Sequence, residues 1–148
     1  MQAFFGFASL DDVVEYDLGG RVLDVMQIPG HEAAHVAVYD RKYQLLFTGD
    51  TLYPGRLYIQ TFSDYVDSVD RMVQFVNAGN DVAFVLGTHI EMTTTPGDDF
   101  PFAADEHPNE HALELTVDHL LELDAAVKAM GNSPMLEVHD DFIIYPQP

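Results

Sequence analysis

Cysteine is absent from the 148 residues and basic residues are scarce, with six lysines and arginines against 25 acids. Without cysteine there is no disulfide and no thiolate ligand, so any metal site must be built from histidine and carboxylate. The formal charge of −19 disfavours a nuclease or nucleic-acid-binding role, because a phosphate backbone would be repelled. No uncharged run approaches the roughly 18 residues of a membrane helix. The N-terminal stretch MQAFFGFASL has neither a basic n-region nor a small-residue cleavage pattern. A soluble, cytoplasmic chain with no membrane and no nucleic-acid partner is the expectation, and its acid excess reads as a solvated surface.

The chain is nevertheless 47% hydrophobic, enough for a single globular core. After Gly19-Gly20, residues 21–28 alternate and are rich in Val, Leu and Ile, which predicts a strand ended by Pro29-Gly30. Residues 35–39, a charged turn at 40–42 and residues 43–48 predict an antiparallel hairpin that stops at Gly49-Asp50. The period then changes. Val66, Val69, Val73 and Val76 form one helical stripe over 64–77, with Ser63 as N-cap and Gly79 past the end. A short apolar strand at 82–87 leads to Thr88-His89, and a proline- and glycine-marked loop spans 93–112. A second helix is expected over 117–130, capped by Thr116 and ended by Gly131, before strand, turn and strand at 135–146. The order implies a mixed α/β layered structure.

His31-Glu32-Ala33-Ala34-His35 spells H-E-x-x-H, which in a zinc protease sets both imidazoles on one face of a helix. Val36, Val38 and Tyr39 follow at once, and a β-rich run begins again after three residues. A loop entering a hairpin fits this better than a two-turn helix. The zinc-protease reading is a minor alternative.

Three strand ends carry metal-ligating side chains: His31 in IPGHEAAH, Asp50 in LFTGDTLY and His89 in VLGTHIE. Imidazole and carboxylate suit zinc, iron or manganese. In their order these segments resemble the metallo-β-lactamase fold superfamily, over about residues 19–92, and specifically the C-terminal half of its αββα sandwich, a mixed β-sheet with helices on one face. An aspartate rather than a cysteine at position 50 is similar to the glyoxalase II and lactonase branch. The resemblance implies His31 as a ligand of the first metal, Asp50 as the bridging and catalytic carboxylate, and His89 as a ligand of the second metal. His35 would steady the loop behind them. Apart from the resemblance, Tyr53, Arg56 and Tyr58 follow Asp50 closely and are weaker candidates to line a substrate cleft. An intact member of the family would hold two zinc ions and hydrolyse a small ester, thioester or lactone.

The family's other ligand motif, H-x-H-x-D-H, does not occur in the chain. Three ligands are left for a binuclear site, and a lone half-sandwich would bare an apolar sheet face. The resemblance therefore implies a single partial domain over 1–148, with its C-terminal helix and hairpin at 113–146. Such a chain would be truncated and inactive alone, completed by homodimerisation or by a complementary N-terminal half. The alternative is a non-catalytic half-domain that acts as a binding or assembly module. Elsewhere, His107 and His111 are separated by Pro108 and read as a solvated loop. Ser68 has no base at fixed spacing and does not read as a nucleophile.

Overall fold

The computed structural model describes residues 2–148. A short helix α1 (Gln2–Phe5) precedes strands β1 (Val13–Asp17), β2 (Val22–Gln27), β3 (Val36–Asp40), β4 (Leu45–Gly49) and β5 (Arg56–Ile59). Helix α2 (Phe62–Asn77), strands β6 (Phe84–Gly87) and β7 (Glu114–Leu115), helix α3 (Val117–Met130) and strands β8 (Glu137–Val138) and β9 (Ile143–Pro146) follow. The strands form a six-stranded sheet of order β1-β2-β3-β4-β6-β7 and a three-stranded sheet of order β5-β9-β8.

Strand alternation decides which face of the large sheet is the core. Across the register, Asp24, Tyr39, Leu46, Val85 and Leu115 form one row, and all are buried. Tyr39, Leu46, Val85 and Leu115 share a single hydrophobic cluster with Tyr65, Val69, Met72 and Val73 of α2 and Leu120, Leu123 and Val127 of α3. Both helices thus cover the same face. The opposite row runs through Val25, Val38, Phe47 and Leu86. There Phe47 keeps 38% of its surface exposed, and Phe84 on the same strand pair keeps 45%.

The helices keep the expected spans with one shift. Helix α3 is capped by Thr116, whose backbone N–H donates to His119 Nδ1 at 3.0 Å while the Thr116 side chain caps the first turn. Helix α2 begins one residue before Ser63, with Thr61 at its N-cap. The stretch 29–35 is a run of turns and bends that enters β3. The helix required by an H-E-x-x-H protease site is not formed.

The topology gathers three loops at one edge of the large sheet. Strand β2 is antiparallel to β3, β3 is antiparallel to β4, and β4 is parallel to β6. The C-terminal ends of β2, β4 and β6 therefore lie on the same side, and they carry the loops of His31, Asp50 and His89.

Candidate metal centre

At that edge the Asp50 carboxylate stands between two imidazoles. His31 Nε2 lies 3.1 Å from Asp50 Oδ2, and His89 Nε2 lies 3.2 Å from Asp50 Oδ1. Thr88, the residue before His89, also donates its hydroxyl to Asp50 Oδ1. The three residues singled out in the sequence are thus brought onto one carboxylate, with one nitrogen facing each oxygen.

The tautomer of His31 follows from its other nitrogen. Nδ1 lies 2.7 Å from the Tyr58 carbonyl, which can only accept, so Nδ1 carries the proton. In the neutral ring Nε2 then presents a lone pair to Asp50 Oδ2, itself an acceptor. A proton on Nε2 or a cation held between the two atoms accounts for this distance, and a backbone carbonyl behind the ring is the usual orienting partner of a metal-bound histidine. The donor set fits zinc, iron or manganese in kind. Among the described residues, no three histidine or acidic side chains converge as a finished metal-binding group.

His35 lies behind this centre. Its Nε2 accepts the backbone N–H of Asp50 at 3.2 Å, and its ring sits 5.4 Å from that of His31. Burial, and then the neighbouring His31, lower its pKa, so the ring stays neutral and able to accept. Nδ1 must then hold the proton, and it is buried without a partner. Gly49 supplies the close approach: its φ is +55°, and a Cβ there would run into His35 Nε2.

Helix α2 clamps two of the candidate ligand loops. Ser68 Oγ donates to the Pro29 carbonyl at 2.6 Å, and the Tyr65 hydroxyl donates to the Thr51 carbonyl. Gly30, wedged against Tyr65, accepts the backbone N–H groups of Gln60 and Thr61, each at 2.9 Å. Both side-chain hydroxyls are fully buried, and burial raises the Tyr65 pKa. Neither residue carries a sequence signal for this role, since both simply occupy the buried stripe of an amphipathic helix.

The three residues expected at a substrate cleft separate. Arg56 lines a cleft of about 340 Å³ that opens beside His89. Tyr53 is buried, with its hydroxyl bonded to the Arg56 carbonyl and its ring 5.2 Å from His89. Tyr58 stacks edge-on against Tyr145 and accepts from Arg56 Nε at 3.1 Å. Sequence reasoning missed Glu91 and Asp99, which both pair with Arg56 from a distant segment. His107 and His111 do not share a partner: His107 pairs with Glu110, whereas His111 faces Asp141 across 2.8 Å. His119 reaches the other oxygen of Asp141 at 3.0 Å.

Residues 3–131 match the family model described as the metallo-beta-lactamase superfamily. Among similar proteins, acyl-coenzyme A thioesterase MBLAC2 of Gallus gallus is 38% identical over 79 residues, 51% of this chain and 28% of that protein. A hydroxyacylglutathione hydrolase of Bdellovibrio bacteriovorus is 37% identical over 51 residues, 32% of this chain and 20% of that protein. Among solved structures, a metallo-beta-lactamase from Pontibacter korlensis superposes with a TM-score of 0.52 at 16% identity, over 79% of this chain and 46% of that one. The matches therefore span less than half of each of these proteins.

Proposed function

The chain belongs to the metallo-beta-lactamase superfamily, and on that premise we propose that it supplies the His31–Asp50–His89 centre of a metal-dependent hydrolase. Its substrates would be small acyl thioesters, with esters and lactones as the wider class, and its site of action the cytoplasm. The observation that carries this reading is the single carboxylate flanked by two imidazole nitrogens, with His31 held by the Tyr58 carbonyl. The similarity to a thioesterase and to a hydroxyacylglutathione hydrolase supports thioesters over the other members of the class. No helix among the described residues is long and apolar enough to cross a membrane.

His31, Asp50 and His89 would hold zinc, or iron or manganese in its place, as part of a two-ion centre. The metal would supply Lewis-acid polarisation of the scissile carbonyl and an activated water. The chain's own residues orient and hold. The Tyr58 carbonyl sets the His31 ring, the Thr88 hydroxyl fixes one Asp50 oxygen, and His35 holds the Asp50 backbone. Hydrolysis forms one carbon–oxygen bond from water to the acyl carbon and breaks the bond to sulfur or oxygen. The proton lost by water goes to the departing thiol or alcohol.

The remaining ligands would come from a complementary N-terminal half or a second copy of the chain, seated on the exposed Phe47 and Phe84 face. That same bare face favours a second reading, in which the chain is a non-catalytic half-domain used for assembly.

The test is thioester hydrolysis, followed as thiol release, by the zinc-loaded chain assembled with an N-terminal half that carries the H-x-H-x-D-H motif, beside the same assembly with Asp50→Asn. Zinc-dependent turnover that Asp50→Asn abolishes is expected. Turnover that survives Asp50→Asn, or assembly without any turnover, would overturn the hydrolase reading.

A further inference from the structure

The members of the candidate centre are oriented in different ways. The Tyr58 carbonyl holds His31 through Nδ1, the Thr88 hydroxyl holds the Asp50 carboxylate, and His35 holds the Asp50 backbone. His89 has no comparable anchor. Its side chain is 54% exposed, and its one polar partner among the described residues is Asp50, through Nε2. An exposed imidazole whose Nδ1 is not engaged has several rotamers open to it. Packing is left to select the one that faces Asp50.

The ring packed against His89 is that of Tyr53. The two centroids lie 5.2 Å apart with the planes tilted by 59°, inside the range of about 4.5–7 Å at which aromatic rings attract. Tyr53 is itself fixed, because it is fully buried and its hydroxyl donates to the Arg56 carbonyl. Two glycines make the room it occupies. A Cβ on Gly87, at the end of β6, would strike Tyr53 Cβ, and a Cβ on Gly55 would strike the edge of the ring. The backbone on either side of His89 is tied to the same loop: Thr88 N–H donates to the Gly49 carbonyl at 3.2 Å, and Glu91 N–H donates to the Pro54 carbonyl at 2.7 Å. The His89 segment is thereby held against Tyr53.

We propose that Tyr53 is the positioning residue of His89, its ring turning the imidazole toward Asp50 where His31 and Asp50 have hydrogen bonds instead. The inference rests on the metal-centre reading for what the orientation serves, and on the packing of Tyr53 for the orientation itself. The role belongs to the ring, since the hydroxyl is spent on the Arg56 carbonyl. It places Tyr53 behind a ligand rather than at a substrate, in keeping with its burial.

The test is a calorimetric zinc titration of Tyr53→Phe and Tyr53→Leu, each made also in the His89→Ala and His31→Ala backgrounds. Tyr53→Phe keeps the ring and should bind zinc within about twofold of the native chain, whereas Tyr53→Leu should weaken binding about tenfold. That loss should vanish in the His89→Ala background and persist in His31→Ala, which a general loosening of the fold would not produce. Should Tyr53→Leu fail to fold, the NMR spectrum of the metal-free native chain decides: cross-relaxation between the Tyr53 and His89 ring protons is expected. A loss equal in both backgrounds, a loss as large in Tyr53→Phe as in Tyr53→Leu, or a native spectrum without the ring contact would overturn the proposal. If His89→Ala weakens zinc binding and a folded Tyr53→Leu does not, the positioning role alone fails. If His89→Ala leaves zinc affinity unchanged, the metal-centre reading fails and the proposal falls with it.

Discussion

The buried hydroxyl of Tyr65 donates to the carbonyl of Thr51, the residue immediately after Asp50. One helical turn along, Ser68 does the same for Pro29, two residues before His31. A single helix face thus fixes the separation of two candidate ligand loops. Tyr65→Phe leaves the Thr51 carbonyl buried without this donor, which costs about 1–3 kcal/mol. Chemical denaturation should show that loss, and zinc affinity should fall with it, because the Asp50 loop is freed.

Gly49 is the second constraint on the same loop. Its positive φ and the contact with His35 leave no room for a side chain. Gly49→Ala is expected to destabilise the fold by about 1–3 kcal/mol, and to displace the His35 ring from the Asp50 backbone. The His35 imidazole signals in an NMR spectrum check the second outcome.

His119 serves twice, as an acceptor for the Thr116 backbone at the start of α3 and as a partner of Asp141 in the β8–β9 turn. His119→Ala removes both bonds. A loss of about 1–2 kcal/mol in thermal or denaturant unfolding is expected, with zinc binding at Asp50 unaffected.

Asp40 is buried, and burial alone would raise its pKa. The hydrogen bonds from Arg21 and from the Lys42 and Tyr43 backbone outweigh this, so the carboxyl is held below its ordinary value. A carboxylate lowered by folding stabilises the protein above its unfolded pKa of about 3.9 and loses that contribution as pH falls through the folded value. The stability difference between the native chain and Asp40→Asn should therefore be full at neutral pH and shrink once the pH drops below about 4. Denaturation curves at a series of pH values check the sign.

Much of this architecture was legible along the chain. The hairpin at 35–48, the stripe of α2 and the Thr116 and Gly131 boundaries of α3 all follow from local period and punctuation. Strands β1 and β5 were not legible. In β1, Glu15 and Asp17 occupy the exposed face of an edge strand, and β5 is four residues long and starts with a charged arginine. The candidate ligand loops could be located in the sequence because each follows an apolar strand and carries a histidine or aspartate close to glycine. The cleft could not, because Arg56 meets Asp99 across 43 residues and Phe100 meets His107 through a loop without period. Contacts of that kind are set by packing and leave no spacing to read.

The most direct measurement is a calorimetric zinc titration of the metal-free chain beside His31→Ala, Asp50→Asn and His89→Ala. The account predicts binding to the native chain that each substitution weakens by at least about tenfold, and that His119→Ala leaves intact. Equal affinity in the native chain and all three variants would mean that His31, Asp50 and His89 are not the metal centre.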